Sequence, residues 1–310
     1  MLYLIRAADA LQPLFMTTAF ALGAVLGSFA NVCVARWPVG QSIVKPGSRC
    51  PKCMHPLAWY DNIPIVGWVF LRGKCRYCST SIHWQYPLVE LLTALLFLLV
   101  YWKFGFTIAS PVYMMLAFAL VVCTFQDFAD WTIPDEITYP GIPAGLAVAV
   151  AGMFLGEASG LRVLNPIDAG AGILLGGAIP FVIDRVTVVL LKKPGMGFGD
   201  VKLLAMIGGF VGWQGVLGTF FLACLLGSFI GVGVIAYFRF KGPSEKPEAA
   251  AGEKKEAASD DEIELEGHYL PFGPYLALAG FLFVLYGPEL VQLYVDFVTL
   301  DSGSGTLYSI

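Results

Sequence analysis

Residues 195–215 read Gly-Met-Gly-Phe-Gly-Asp-Val-Lys-Leu-Leu-Ala-Met-Ile-Gly-Gly-Phe-Val-Gly-Trp-Gln-Gly, and the apolar run they open continues to Phe238. Whether that run crosses a bilayer once or twice fixes the topology of the whole chain. A membrane helix needs about 20 apolar residues, and residues 201–238 are enough for nearly two. Charge decides between the readings. Lys192, Lys193 and Lys202 flank one end, and Arg239 and Lys241 the other. Cations beside spans stay on the cytoplasmic side, so the run is expected to cross twice, turning at Gly212-Trp213-Gln214-Gly215.

The rest of the chain agrees with a membrane protein. Its 310 residues are 57% hydrophobic and 14% charged, with a mean hydropathy of +0.72, which excludes an ordinary soluble enzyme. The expected fold is all-α and polytopic, with about eight transmembrane helices near 14–35, 88–104, 110–128, 137–155, 169–191, 201–214, 217–238 and 270–296. The first run is too long for a signal-peptide core and lacks a cleavage site, so it reads as a retained span. Eight spans place residues 36–87, 129–136, 192–200 and 239–269 in the cytoplasm and both termini outside. Of the 19 Lys and Arg, Arg6, Lys103 and Arg162 are the ones that fall clearly outside.

The organisation that follows has five parts. Residues 1–35 form the first span, 36–87 a small cytoplasmic domain, and 88–241 a membrane core. Residues 242–267 are an acidic low-complexity loop expected to be a solvated connector, and 268–310 are the last span and tail. Within 36–87, Cys50-Pro-Lys-Cys53 and Cys75-Arg-Tyr-Cys78 have the spacing of a four-cysteine zinc ribbon. Each pair can aim two thiolates at one tetrahedral ion, with Arg72, Lys74 and Arg76 offsetting the negative charge. A reduced cytoplasm disfavours disulfides. Four protein ligands leave no open position, so the zinc is expected to be structural. His55 is expected at the surface, and Cys33, Cys123 and Cys224 as small packing residues.

Two aspartates carry the chemistry. Asp127 ends the run Val121-Val122-Cys123-Thr124-Phe125-Gln126, and Asp200 closes Gly195-Met-Gly197-Phe-Gly199. A carboxylate at membrane depth costs about 2.5–3.5 kcal/mol on insertion scales and asks for a functional reason; almost no other acids are expected at such depth. The topology puts both on one face, and two carboxylates brought together are the minimum of an aspartyl protease. An ion or proton path, or pairing with Lys or Arg, also accounts for them. Gly197 and Gly199 let a substrate backbone approach Asp200, and Lys202 marks the boundary or meets a carboxylate or phosphate. Asp135 and Glu136 follow Pro134 and suit the first turn of a helix; Asp130 reads as an exposed loop acid.

The motifs together resemble the type IV prepilin peptidases, the GxGD class of intramembrane aspartyl proteases. The resemblance runs through Gly27-Ser28-Phe29-Ala30-Asn31-Val32 with Arg36-Trp37-Pro38 and both cysteine pairs. It continues with Trp59-Tyr60-Asp61-Asn62-Ile63-Pro64, Tyr86-Pro87-Leu88-Val89-Glu90, Asp127 seven residues before Pro134-Asp135, and Gly197-x-Gly199-Asp200-x-Lys202. It implies that Asp127 and Asp200 are the catalytic pair. It also implies cleavage of prepilin or pseudopilin leaders after a glycine, and N-methylation of the new N-terminus using S-adenosylmethionine. The implied setting is the bacterial inner membrane, with the bilayer and pilin substrates as partners and no nucleic acid. Arg36 and Glu90, at the cytoplasmic ends of the first two spans, are candidates for cofactor or substrate contact, though Arg36 is equally placed to snorkel and Glu90 to pair with a basic residue.

Overall fold

The computed structural model describes residues 2–192, 195–241 and 271–300. The acidic 242–267 loop and the tail beyond Leu300 lie outside the described residues, as does Lys193. The described residues are mostly helical and contain no strands. The helices are α1 (Leu2–Arg36), α2 (Val66–Phe70), α3 (Gln85–Phe104), α4 (Ala109–Asp130), α5 (Asp135–Leu155), α6 (Pro166–Leu191), α7 (Phe198–Lys241) and α8 (Gly273–Leu300). All but the short α2 are long and apolar enough to cross a membrane, which makes seven among the described residues. The protein is a multi-pass membrane protein.

Seven helices give eight passes because α7 folds back on itself. Gly212 breaks it with φ 73° and ψ −179°, a conformation closed to most side chains. On α8, Gly280 packs against Ile207 and Phe283 against Gly218, while Tyr275 meets Gly227. One turn of α8 thus touches points eleven residues apart on α7, which a straight helix would separate by about 16 Å. The expected turn at 212–215 is in place, starting at its first glycine. The first arm of α7 is gripped between α5 and α6, where glycines let backbones touch. A Cβ on Gly172 would sit 2.3 Å from the Gly208 carbonyl oxygen, and one on Gly145 2.8 Å from the Gly209 Cα. Small residues at such contacts substitute close packing for the hydrophobic drive that lipid does not supply.

Two of the three cations expected on the far face have structural work there. Pro288 removes an N–H from α8, and the helix leaves regular geometry at Tyr286. Arg162 fills the gap: its Nε donates to the Val284 carbonyl at 2.7 Å and its Nη2 to that of Leu285. Its own backbone N–H donates to Tyr113 Oη of α4 at 2.6 Å. Lys103 pairs with Glu289 at 2.6 Å. These ties lock the end of α8 to α3 and α4, and so set where its other end, at Gly273, meets the aspartates.

Candidate active site

α4 delivers Asp127 one turn before its end, where Trp131 closes the helix in the left-handed region. α7 delivers Asp200 in its first turn. The two carboxylates are 6% and 9% exposed, line one cavity of about 480 Å³, and lie near enough for their charges to interact. The site is closed by α8. Its first residue, Gly273, donates its backbone N–H to Asp127 Oδ2 at 3.0 Å. A Cβ there would lie 2.5 Å from that same oxygen, so any larger residue would have to displace the carboxylate or α8. A helix N-terminus and an N–H aimed at a carboxylate oxygen complement a negative charge. Gly199 presses on Ile133, which fits the α7 start against the loop after α4.

Asp135 does sit in the first turn of α5, but it also forms an ion pair with Lys202. Lys202 lies over the Tyr139 and Phe198 rings at 5.1 and 5.4 Å. It therefore meets a carboxylate of its own chain, tying α7 to α5. Asp130 is exposed, as expected, but it is the last residue of α4 and not part of the loop. The expectation of almost no other acids in the apolar runs is corrected: besides Glu289 and Asp296 of α8, two more lie inside them. Glu90 is buried in α3, and Asp184 lies within α6, where Oδ1 accepts from the Gly195 and Met196 N–H groups at 3.2 and 3.4 Å. Asp184 thereby anchors the glycine-rich loop that leads to Asp200. It was legible as an acid inside an apolar run and was passed over. Gln126 was also missed: it is 3% exposed, lines the cavity, and its Oε1 has no hydrogen-bond partner.

The four cysteines converge. Their sulfurs all lie within 4.8 Å of one another, with Cys50–Cys78 at 3.7 Å and Cys53–Cys75 at 4.0 Å. Thiolates 2.3 Å from a tetrahedral zinc stand about 3.8 Å apart, whereas a disulfide is about 2.05 Å, so the donor set fits a metal ion. The two halves repeat one local structure. Cys50 N–H donates to the His55 carbonyl and accepts at its own carbonyl from Met54; Cys75 does the same with Thr80 and Ser79. Met54 and Ser79 carry matching positive φ, 57° and 55°. The Cys53 backbone N–H lowers the Cys50 thiol to about 6, while the Cys78 thiol, lowered by the Thr80 backbone N–H but raised by burial and the other three sulfurs, stands at about 11, so the four thiols titrate as a unit. Arg76 departs from expectation: its guanidinium binds the Asp61 carboxylate with Nε at 3.1 and 3.0 Å, so it fastens the Trp59–Pro64 motif and is not left to neutralise the cluster.

Below the cysteines lies a second, larger cavity of about 790 Å³, within the range of small-molecule sites. The ends of α1 and α3 form its floor, and both Arg36 and Glu90 line it. Arg36 is already engaged, donating to the Ser42 carbonyl at 2.9 Å and that of Gly47 at 3.4 Å; it holds the start of the domain down. Glu90 is 8% exposed and accepts the Ile65 N–H at 2.6 Å through Oε2. It does not pair with a basic residue among those described. The two cavities share no lining residue.

Comparisons with known proteins divide the chain in the same way. A profile described as the bacterial peptidase A24 N-terminal domain matches residues 21–104, and one described as the type IV leader peptidase family matches 114–232. A Myxococcus xanthus protein named prepilin leader peptidase/N-methyltransferase is 34% identical over 91% of this chain and 93% of its own length. Proteins of the same name from Aeromonas hydrophila and Pseudomonas aeruginosa are 30% and 31% identical. They cover 95% and 91% of this chain, and 99% and 94% of their own lengths. No solved structure matches significantly.

Proposed function

We propose that this chain, which belongs to the type IV leader peptidase family, removes the leader from type IV prepilins or pseudopilins and methylates the new N-terminus, with Asp127 and Asp200 performing the cleavage. The observation that carries this is the pair itself: two buried aspartates on one cavity, one of them held by the N-terminus of α8.

Two carboxylates at close range do not both ionise cheaply, so they share a proton. Asp127, with the Gly273 N–H on its oxygen, is built to carry the charge and to take a proton from the attacking water. Asp200, in its protonated form, donates to the carbonyl oxygen of the scissile peptide. The water oxygen bonds to the carbonyl carbon, the C–N bond breaks as the proton held by Asp127 passes to the leaving amine, and the hydroxyl formed from the carbonyl returns its proton to Asp200. The titration belongs to the pair as a unit. Lys202 and Asp135 hold α7 and α5 at the spacing this needs.

The four cysteines hold a structural zinc that supplies folding energy to a segment with little core of its own. S-adenosylmethionine, when bound, supplies the methyl group, and the 790 Å³ cavity under the cysteine segment is the site for it; its size and its buried acid fit a cationic nucleoside. The cations gathered on the aspartate face support a cytoplasmic orientation for it in a bacterial inner membrane. The test is to incubate purified protein with a prepilin, with and without S-adenosylmethionine, and read the product masses. Leader loss in both reactions and methylation in the second are expected; an uncut prepilin overturns the reading.

A further inference from the structure

The cavity beneath the cysteine segment contains a carboxylate without a counter-charge. Glu90 is buried, lines the cavity, and makes no ion pair among the described residues. Its polar neighbours are neutral: the Ile65 N–H on Oε2 and the Ser28 hydroxyl of α1. Of the charged and titratable groups lining the cavity, Arg36 is engaged by the Ser42 and Gly47 carbonyls and Asp61 by Arg76, while Arg49, exposed on the wall, and His83 make no ion pair with Glu90. A buried acid with no cation is costly to keep, and one inside a membrane helix points to a function.

A second observation marks the same place. Ile65, whose N–H Glu90 holds, has φ 63° and ψ −53°, a conformation that a β-branched side chain resists. Backbone held in this way beside a cavity is characteristic of ligand clamps. Glu90 thus fixes a strained turn of the soluble segment against the membrane helices, and one face of its carboxylate is left towards the cavity.

We propose that Glu90 receives the sulfonium cation of S-adenosylmethionine. This rests on the reading that the chain methylates with that donor. The sulfonium is the group whose charge disappears on methyl transfer, leaving a neutral thioether. A carboxylate placed on it distinguishes fresh donor from spent product, holding the first and releasing the second.

The experiment measures equilibrium binding of labelled S-adenosylmethionine to the purified full chain, with S-adenosylhomocysteine as competitor. A photo-crosslink of the labelled donor is mapped on the same sample. Wild type is expected to prefer the sulfonium, and Glu90→Gln to weaken its binding about tenfold while changing that of the thioether less than about twofold. Glutamine keeps an oxygen for the Ile65 N–H, and zinc content and helicity check the fold. Glu90→Asp keeps the charge and should keep the preference, even where both ligands bind more weakly. Parallel loss of the two ligands in Glu90→Gln overturns the assignment, as does an unchanged preference or a crosslink outside residues 28–90. Absence of any donor binding by wild type overturns instead the methylation reading on which it rests.

Discussion

The smaller cavity is walled by two short segments, residues 126–136 and 197–202, each wound around a motif that sequence alone exposes. The larger is walled by residues scattered from Ser28 to Glu90, and few of them stand out singly. Both open at the same end of the helices, yet they share no residue and are held by different devices. The aspartate cavity is held by glycine contacts and a helix N-terminus, the other by the four-cysteine cluster and side-chain ties to backbone. A site that breaks a peptide bond needs rigid carboxylates. One that admits a cofactor needs a roomier wall, which a small domain hinged on cysteines can supply.

The comparison breaks first, and most sharply, at the dyad. Asp127→Asn or Asp200→Asn should lower leader cleavage roughly a thousandfold or more, since each removes a proton-transfer group that the other cannot replace. Methylation of a pilin supplied already cleaved should persist. The paired readout is a gel shift for leader loss and label transfer for methylation. Near-normal cleavage by either variant would show that the dyad is misassigned.

Gly273→Ala attacks the same cavity without touching a carboxylate. The added Cβ would stand 2.5 Å from Asp127 Oδ2, so α8 or the aspartate must shift. Displacements of this order cost about a hundredfold when they move a reacting group. Cleavage should fall roughly 10- to 100-fold, with methylation unchanged. Full activity in this variant would mean that the α8 N-terminus does not organise the dyad.

Cys75→Ser probes the other side. Loss of one of four thiolates should release most of the metal, read by elemental analysis as a fall from about one zinc per chain. Residues 36–87 should then be cut faster by protease. Because this segment roofs the larger cavity alone, methylation is expected to fall about tenfold and cleavage much less. Equal loss of both, with the membrane helices intact, removes the division of labour.

What could be read from the sequence divides along the same line. The fold-back at 212–215 followed from where the cations sit, and the helix spans followed from length and apolarity. Asp127 and Asp200 were visible because a charge at the end of an apolar run is expensive. The four cysteines were visible because their spacing has one common use. Gly273 was not visible, because its role exists only once α8 has been brought across from a distant part of the chain. Asp184 was legible as an acid inside an apolar run, but its role depends on the glycine-rich loop returning to it. The pairing of Lys202 with Asp135 required knowing that α5 and α7 are neighbours. That Glu90 makes no ion pair among the described residues could not be read at all, since it depends on where Arg36, Arg49 and Asp61 turn their side chains.

The smallest effect is expected at Gln126. Its amide reaches Thr132 Oγ1 weakly, at 3.5 Å, and its buried Oε1 accepts nothing while lining the aspartate cavity. An orphaned acceptor costs stability, so it is kept either for a substrate N–H or for nothing. In the first case Gln126→Leu, similar in volume, should raise KM for prepilin about three- to tenfold, the worth of one hydrogen bond, and leave kcat nearly unchanged because the contact is made equally in ground and transition states. Stability should rise slightly, since the unpaired oxygen is gone. Methylation of a cleaved pilin should not respond, because Gln126 does not line the larger cavity. A fall in kcat at constant KM would place Gln126 with the reacting groups, and unchanged kinetics with a higher melting temperature would leave it without a role in the substrate path.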